Sequence, residues 1–346
     1  MVGHNIHIVG SIPLADAQTV FETVAGALGP KLLRLPDGET GDRLNWISWL
    51  ADLFDADPDF ERVERDFRVH EQATIMPSFR LKAGASATAL DFGPLGYAAN
   101  AARSYEIFAR LKAAGVIPSQ CRFQVDLVPA HTIIRTFVHE DDQEAVEPIY
   151  DAALRREIDS VCAIAPRDQL AVQFDVASAV FYRLEKGEPT RYGATKAEML
   201  DAFSREVIGL GNCVPDGVEL IYHLCYGDNN HRHSIEPTDT ADMVAFANLI
   251  SAGVPRAIEL FHMPVPRGRA DDAYFAPLRD LALHPETEIS LGLVHYTDGV
   301  AGTRDRISVA NKHLADFLIA SECGFGRRDP ATIPELLRIH ADIAGI

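Results

Sequence analysis

The sequence contains the short apolar run Val218-Glu219-Leu220-Ile221-Tyr222-His223-Leu224-Cys225-Tyr226-Gly227-Asp228. The turn residues Pro215-Asp216-Gly217 precede it and Gly227-Asp228-Asn229-Asn230 end it, a pattern that predicts a buried strand opening into a loop. Alternate residues of a strand face the same way, so His223 and Cys225 are expected side by side near its end. An imidazole and a thiolate in this arrangement supply half of a tetrahedral zinc site.

Strands and helices alternate along the rest of the 346-residue chain. The other predicted strands are His7–Val9, Lys31–Leu35, Arg122–Pro129, Leu170–Asp175, Arg256–Phe261, Glu288–Val294 and Phe317–Ala320. The predicted helices are Ala15–Leu28, Ser104–Ala114, Pro148–Ile164, Lys196–Leu210, Thr240–Ser251, Ala273–Leu283, Arg304–His313 and Ile333–Ile343. Eight short strands alternating with helices are typical of an α/β fold of the (β/α)8 TIM barrel type. A doubly wound open sheet is the alternative, but polar residues follow nearly every strand, as they do at a barrel's active-site face.

The domain organisation follows from this pattern. We expect residues 1–346 to form a single (β/α)8 catalytic domain, since such barrels often exceed 250 residues. The stretch from Trp46 to Phe92 breaks the alternation and carries charged runs such as Glu61–Arg68. We interpret approximately residues 46–95 as an insertion after the second strand, partly helical and with a small hairpin.

Charge and cysteine content limit the classes of function. A net charge of -18 argues against binding a nucleic-acid backbone or an anionic membrane surface. No apolar run reaches the length of a membrane span, and no signal peptide is evident. The few cysteines are odd in number and widely spaced, which predicts a reduced, cytoplasmic protein rather than a disulfide scaffold. They are Cys121, Cys162, Cys213, Cys225 and Cys323.

The barrel would supply further ligands to the opening pair. Glu259 lies on the predicted sixth strand, and Cys323 follows the eighth. Because strand ends meet at the mouth of a barrel, His223, Cys225, Glu259 and Cys323 are candidate ligands of one Zn²⁺. Two alternatives stay open, in which Glu259 forms a salt bridge and Cys323 is an ordinary loop thiol. The other three cysteines are interpreted as structural.

These segments resemble a known family. His223-Leu224-Cys225-Tyr226, Ile258-Glu259 and Cys323-Gly324-Phe325-Gly326-Arg327-Arg328 are similar, in order and strand position, to the zinc motifs of the cobalamin-independent methionine synthase family. That family belongs with uroporphyrinogen decarboxylase to one superfamily, and the resemblance is to its C-terminal catalytic barrel. Upstream similarities are Val9-Gly10-Ser11-Ile12-Pro13, Asp37-Gly38-Glu39 with Arg43, and Gln173-Phe174-Asp175.

The resemblance implies a zinc-dependent methyltransferase that alkylates a zinc-bound thiol such as homocysteine. It implies zinc ligands at His223, Cys225, Glu259 and Cys323. It also implies that Ser11, Glu39 and Asp175 contact the amino-acid thiol, with the carboxylates on its ammonium group. His295 and Asp175 are the implied catalytic residues, His295 as the acid that protonates the departing donor. The implied partners are a small-molecule thiol and a methyl or alkyl donor.

The chain departs from the family pattern in several places. It has one barrel, whereas the full-length family enzyme has a second. Asp175 is followed by Val176-Ala177-Ser178 where the family has Glu-Pro-Ala, and His295 lies in a stretch that differs from the family's His-Ser-Pro. The cluster His231-Arg232-His233 is a further substrate-binding candidate, with a solvated loop as its alternative.

Other functions remain open from sequence. On the same scaffold, a zinc enzyme can demethylate a methyl ether or open an epoxide with a thiol. In other classes, the alternatives are a metal-free lyase like uroporphyrinogen decarboxylase and a non-catalytic protein with a structural zinc. The sequence predicts neither the alkyl donor nor the oligomeric state.

Overall fold

In the described parts of the chain, residues 4–67, 76–227 and 233–346 of a computed structural model, seven parallel strands form one curled sheet. The strands in chain order are β1 (Arg34–Pro36), β2 (Phe60–Phe67), β3 (Met76–Leu81), β4 (Arg122–Leu127), β5 (Leu170–Val176), β6 (Glu219–Leu224), β7 (Leu260–Pro264), β8 (Glu288–Val294) and β9 (Leu318–Ser321). The sheet order is β1-β4-β5-β6-β7-β8-β9, while β2 and β3 form a separate antiparallel pair. The parallel strands are buried almost throughout, which explains their continuous apolar runs.

The N-terminal segment lies between the two edges of this sheet. Ile6 pairs in parallel with Leu32, next to β1, and with Ile319 in β9. The His7 N–H donates to the Ile319 carbonyl at 3.0 Å. The predicted first strand, His7–Val9, is therefore a bridging segment, and the other seven predicted strands are confirmed as members of one parallel sheet.

Helices connect the strands. In chain order they are α1 (Ala17–Leu28), α2 (Ala51–Ala56), α3 (Tyr97–Ala113), α4 (Ala130–Phe137), α5 (Gln143–Cys162), α6 (Ser178–Lys186), α7 (Lys196–Gly211), α8 (Ala241–Gly253), α9 (Asp272–Phe275), α10 (Gly299–Ala310) and α11 (Ile333–Ala344). Most predicted helices are present with shifted ends, but α4 and α6 were not predicted. The predicted helix Ala273–Leu283 is only the short α9 and a 3-10 turn, Ala276–Asp280. Within the described ranges, every helix is too short or too polar to cross a lipid bilayer.

The predicted sixth strand, Arg256–Phe261, was placed too early in the chain. β7 runs to Pro264, and its register with β6 places His262 beside His223. Glu259 precedes β7, and its N–H donates to the Leu220 carbonyl at 2.9 Å, near the start of β6. The prediction ended the strand at Phe261 because the polar residue His262 follows. The strand in fact continues through His262 to Pro264.

The segment between β1 and α3 contains α2 and the β2–β3 hairpin, so it is partly helical and partly a small hairpin. Residues 68–75, between its two strands, lie outside the described residues. An aromatic cluster packs the hairpin against α2 and α4. The fully buried Phe54 ring lies 5.4 to 5.7 Å from its four phenylalanine neighbours, measured between ring centroids. These neighbours are Phe60, Phe79, Phe92 and Phe137.

We expect Phe54→Ala to lower the free energy of unfolding by about 3–5 kcal/mol, because it leaves a cavity among four aromatic rings. Urea unfolding followed by circular dichroism measures the change. Leu249→Ala is the control: Leu249 is 39% exposed on α8, and its truncation should change stability by no more than about 0.5 kcal/mol. Equal effects of the two substitutions would contradict the anchoring role of Phe54.

Candidate functional site

Three of the four predicted metal ligands meet at the end of β6. The ligand atoms of His223, Cys225 and Cys323 all lie within 4.8 Å of one another. The Cys323 Sγ lies 3.8 Å from the Cys225 Sγ and 3.8 Å from the His223 Nε2. His223 and Cys225 are buried, and Cys323 is half-buried. β6 supplies the first two residues through its two-residue alternation, and the loop after β9 supplies the third.

The spacing of these atoms fits a zinc ion. Sulfur ligands about 2.3 Å from a tetrahedral metal lie about 3.8 Å from each other, and a sulfur and an imidazole nitrogen lie slightly closer. In the described parts of the chain no cysteine forms a disulfide, and 3.8 Å is far too long for one between Cys225 and Cys323. The residues present therefore fit zinc by donor chemistry and by distance. Among the described residues the group has three members, which leaves one tetrahedral position for another ligand.

Donors surround the two sulfur atoms. The Gly227 N–H lies 3.3 Å from the Cys225 Sγ, and the Arg327 Nη2 lies 3.7 Å from the Cys323 Sγ. A positive φ of 87° turns Gly227 into the position from which its N–H reaches back to Cys225. Both N–H donors therefore point toward the sulfur atoms that would face a metal.

A second imidazole determines which nitrogen of His223 faces the sulfur atoms. The His262 Nε2 lies 3.0 Å from the Ser321 carbonyl oxygen, which only accepts, so this nitrogen carries the proton. The His262 Nδ1 then accepts from the His223 Nδ1–H at 2.7 Å. This leaves a lone pair on the His223 Nε2. Burial lowers the pKa of His262 to about 3, and burial together with His262 lowers the pKa of His223, so both rings are neutral.

Glu259, the fourth predicted ligand, does not join the group. Its Oε2 accepts from the Leu220 N–H at 2.6 Å and lies 3.8 Å from the Arg256 Nη2. This is the opposite end of β6 from His223, because Glu259 precedes β7. The alternative in which Glu259 forms a salt bridge is the one that the structure supports. His262 occupies the position next to His223 that the prediction had given to Glu259.

Carboxylates gather on the same edge of the sheet. Asp175 is paired in register with His223, and Glu39 and Asp126 line the adjacent cleft. Burial raises the pKa of Asp175, although hydrogen bonds from Gln173 and the Trp46 side chain oppose the increase. Burial, and then the charge of Asp175, raise the pKa values of Glu39 and Asp126. The three groups therefore hold protons more firmly than isolated carboxylates do.

Asp37 organises the loop that presents Glu39. The Asp37 carboxylate accepts from the Glu39 N–H at 2.8 Å, from the Arg43 guanidinium at 2.7 and 3.3 Å, and from the Ser104 hydroxyl at 2.6 Å. Glu39 has a φ of 46° and Trp46 a φ of 54°, which are uncommon for residues other than glycine. Backbone strain of this kind is tolerated where surrounding contacts determine the conformation, and here both residues reach Asp175.

Ser11 lies against the loop that carries Cys323. The Phe325 N–H donates to the Ser11 carbonyl at 2.5 Å. A Cβ at Gly324 would lie 2.8 Å from the Ser11 nitrogen, and one at Gly326 would lie 2.5 Å from the Leu44 carbonyl oxygen. These two positions require glycine because backbone from three segments meets there.

His295, the predicted acid, belongs to a buried ionic group behind the metal ligands. Its Nε2 donates to the Val265 carbonyl at 2.8 Å, and its Nδ1 lies 3.6 Å from the Glu322 Oε1. His233 lies 2.9 Å from the other Glu322 oxygen. Burial alone would raise the pKa of Glu322, but the hydrogen bond to His233 and the close approach of His295 outweigh burial and hold that pKa well below its usual range. Of the predicted cluster at residues 231–233, residues 231 and 232 lie outside the described residues.

Sequence reasoning missed His262, Asp126, Glu322 and Arg327 as members of this region. One signal was available for Asp126: Gln124-Val125-Asp126 repeats the pattern of Gln173-Phe174-Asp175 on the neighbouring strand. Polar residues at alternate positions of a buried strand indicate a site at the inner face. Arg327 lies in the segment from Cys323 to Arg328 that carried the resemblance, but it was given no role at the zinc site. Glu322 carried no comparable signal, since charged residues in a loop are common.

The comparisons with known proteins agree with this architecture. No family model matches the sequence, and no curated protein matches it either. A B12-independent methionine synthase from Shewanella sp. W3-18-1, solved in complex with selenomethionine, is similar in structure with a TM-score of 0.61 at 13% identity, covering 99% of this chain and 97% of that one. A protein assigned as a vitamin-B12-independent methionine synthase from Listeria monocytogenes gives 0.59 at 14% identity, with coverage of 100% and 98%.

A methyltransferase from Methanosarcina mazei gives a TM-score of 0.55 at 10% identity, with coverage of 100% of this chain and 94% of that one. Identities this low show a shared fold. The chain therefore has the fold of B12-independent methionine synthases and of a methanogen methyltransferase along its whole length. The resemblance that the motifs predicted is confirmed at that level.

We expect Gly326→Ala to destabilise the loop that carries Cys323 by about 1–3 kcal/mol, because its Cβ would overlap the Leu44 carbonyl. Its zinc retention against a competing chelator should fall in parallel. Gly268→Ala is the control, since a Cβ there meets no atom within 4 Å. If Gly326→Ala retained zinc as well as Gly268→Ala does, the close approach would not matter for the site.

Glu39→Gln tests the carboxylate cluster through pH. Burial raises the pKa of Glu39 to about 8, so its ionisation costs stability increasingly as pH rises from its ordinary value near 4.5 to 8. The substitution should therefore raise the free energy of unfolding by about 1–2 kcal/mol at pH 8 and leave it unchanged at pH 4. Urea unfolding at both pH values measures this. Glu106→Gln on the exposed face of α3 should show no such difference.

Proposed function

We propose that this chain is a cytoplasmic zinc-dependent thiol alkyltransferase that transfers a methyl group to an amino-acid thiol such as homocysteine. The single observation that carries the proposal is the group His223, Cys225 and Cys323, whose ligand atoms have zinc spacing and which sits in register with Asp175. The fold shared with methionine synthases and a methyltransferase supports the same reaction class. The five free cysteines fit a reducing compartment.

Three protein ligands distinguish this group from a structural zinc site. Structural sites are usually closed by four protein ligands, whereas catalytic sites keep a position for substrate. Glu259, which would have closed the set, is held by the Leu220 N–H at the far end of the strand. This favours a catalytic ion over a non-catalytic one among the residues that the structure describes.

The chemistry requires an ionised thiol near a methyl donor. Zinc, when bound, supplies the acidity that keeps a ligated thiol ionised near neutral pH. The Gly227 N–H and the Arg327 guanidinium stabilise the negative charge that Cys225 and Cys323 carry as ligands. The His262 Nε2–H donates to the Ser321 carbonyl, which fixes the His262 ring. The His262 Nδ1 in turn holds the His223 ring in place.

We propose for the remaining predicted residues the roles that the resemblance implies. Asp175 and Glu39 hold the ammonium group of the thiol substrate, and Ser11 contacts the substrate next to the Cys323 loop. His295 lies behind the ligands with its Nε2 on the Val265 carbonyl. We propose that it acts as the proton donor to the departing group. The methyl donor would approach from the solvent side of the cleft.

We also propose that the chain is one catalytic domain with a complete (β/α)8 barrel. The bridging segment around Ile6, which pairs with both edges of the sheet, would serve as the eighth strand. Residues 46–95 would be an insertion whose hairpin covers the donor side of the cleft, since Trp46 and Trp49 extend from it toward Asp175 and Glu39.

Zinc and thiol binding test the proposal directly. The purified protein should contain about one zinc per chain, and Cys225→Ser or Cys323→Ser should lower zinc affinity at least about tenfold by removing a ligand. Cys162→Ser is the matched control, because Cys162 on α5 is remote from the group and should leave zinc binding unchanged. Metal analysis and chelator competition measure both.

A thiol panel then separates a catalytic ion from a structural one. Homocysteine, glutathione and coenzyme M are titrated against the zinc protein while zinc-edge X-ray absorption reports the number of sulfur ligands. We expect the sulfur count to rise by one with homocysteine. A count that no thiol changes, or a metal-free protein that still transfers methyl groups, would refute the proposed function.

A further inference from the structure

Two neighbouring strands, β4 and β5, each carry a hydrogen-bonded Gln–Asp pair. On β4 the Gln124 Nε2 donates to the Asp126 Oδ1 at 2.9 Å, and on β5 the Gln173 Nε2 donates to the Asp175 Oδ1 at 2.9 Å. Both glutamine amides also lie near the Val9 carbonyl oxygen, at 3.4 and 2.7 Å. The backbone of the N-terminal segment thus aligns two equivalent Gln–Asp pairs. The resemblance gave a role to the pair on β5 and none to the pair on β4.

Asp126 converges with the carboxylates already assigned to the substrate. A Cβ built on Gly10 would lie 3.1 Å from the Asp126 Oδ2 and 3.8 Å from the Glu39 Oε2, so both oxygens approach one point. The charge of Asp175 acts on Asp126 and on Glu39. Asp126 is 8% exposed and lines the same cleft as Glu39.

Among the described residues, one buried acceptor of a side chain that lines the cleft has no donor. The Gln124 side chain is 1% exposed and lines the cleft, and its Oε1 has no hydrogen-bond partner among the described residues. Its Nε2, in contrast, faces the Val9 carbonyl, Asp126 and Gln173. A buried amide oxygen without a donor is costly, and a ligand N–H would satisfy it.

The fourth carboxylate of the cleft is already occupied. Asp37 accepts from Arg43, from Ser104 and from the Glu39 N–H. It therefore offers little to a ligand, and Arg43 is committed to it. The charged groups that act on Asp126 are Asp175, Glu39, Asp37 and Arg43, with Gln124 as its hydrogen-bond donor. Carboxylates outnumber cationic side chains among the residues that line the cleft, which suits a cationic ligand rich in N–H groups.

We propose that Asp126 and Gln124 form a further specificity element that selects thiol substrates bearing a primary ammonium group. This rests on the proposed function and names the substrate class of the same site. The three N–H donors of a primary ammonium match the Asp126, Glu39 and Asp175 carboxylates, and the Gln124 Oε1 accepts a bifurcated or adjacent N–H. A thiol without an amine leaves the Gln124 Oε1 without a donor and adds no N–H to the three carboxylates. Burial and the charges of Asp175 and Glu39 raise the pKa of Asp126, and a bound ammonium group would lower it again.

The experiment compares homocysteine with 4-mercaptobutyrate, which has the same thiol and carboxylate but lacks the amine. Both are titrated by isothermal calorimetry into the zinc-loaded wild-type protein, Asp126→Asn and Gln124→Met, in two buffers of different ionisation enthalpy. The second buffer gives the number of protons released. Thermal unfolding of each variant confirms that the protein is folded.

We expect wild type to bind homocysteine at least about tenfold more tightly than 4-mercaptobutyrate, since hydrogen bonds to charged groups carry the difference. Asp126→Asn should remove most of this preference while changing 4-mercaptobutyrate affinity by less than about twofold. Homocysteine should release more protons than 4-mercaptobutyrate, and Asp126→Asn should reduce that excess. Gln124→Met should weaken homocysteine binding in the same direction.

Two results would overturn the inference. If both thiols bind the zinc protein and Asp126→Asn weakens them equally or not at all, Asp126 does not select the amine, while the proposed thiol chemistry stands. If neither thiol binds to wild type, the proposed function fails and this inference fails with it. The number of sulfur ligands on zinc, measured by X-ray absorption, distinguishes the two results. It rises with added thiol in the first and stays constant in the second.

Discussion

The in-register parallel pairing of β5 with β6 is the constraint on which the site depends. It places Asp175 next to His223, so the carboxylates and the metal ligands share one edge of the sheet. The same register continues from β6 to β7, where His262 comes beside His223 and controls its tautomer. A shift of one residue in either pairing would turn these side chains to the outer face, because side chains alternate along a strand. All seven residues of β5 are buried, and the burial of its five apolar side chains opposes such a shift.

Two regions with different charge environments meet at this edge of the sheet, the metal ligands and the carboxylate cluster. Around the metal ligands the imidazoles are neutral, and N–H and guanidinium donors face the sulfur atoms. One strand away, burial and mutual repulsion raise the pKa values of the carboxylates. Arg327 lies between them, since its charge lowers the pKa values of Glu39, Asp175 and His223 alike. A substrate that joins a thiol to an ammonium group would match both regions at once.

Local sequence accounted for much of the fold and part of the site. Seven strands were located because buried parallel strands are continuous apolar runs bounded by turn residues. His223 and Cys225 were paired correctly because the period of a strand is a local property. Cys323 was placed by the rule that loops after parallel strands meet at one edge. Glu259 was misplaced because the end of β7 depends on its pairing with β6, and a histidine inside the run concealed that the strand continues to Pro264.

The sequence alone determined the alternation of strands and helices, the identity of three candidate ligands and the acidic residues after the strands. Each of these depends on periodicity or on residue chemistry, which can be read without knowing neighbours in space. Tertiary structure decided which residues share the site: it excluded Glu259, added His262 and Asp126, and set Ser11 against the Cys323 loop. These outcomes depend on strand register and on backbone contacts between segments hundreds of residues apart, which no local pattern specifies.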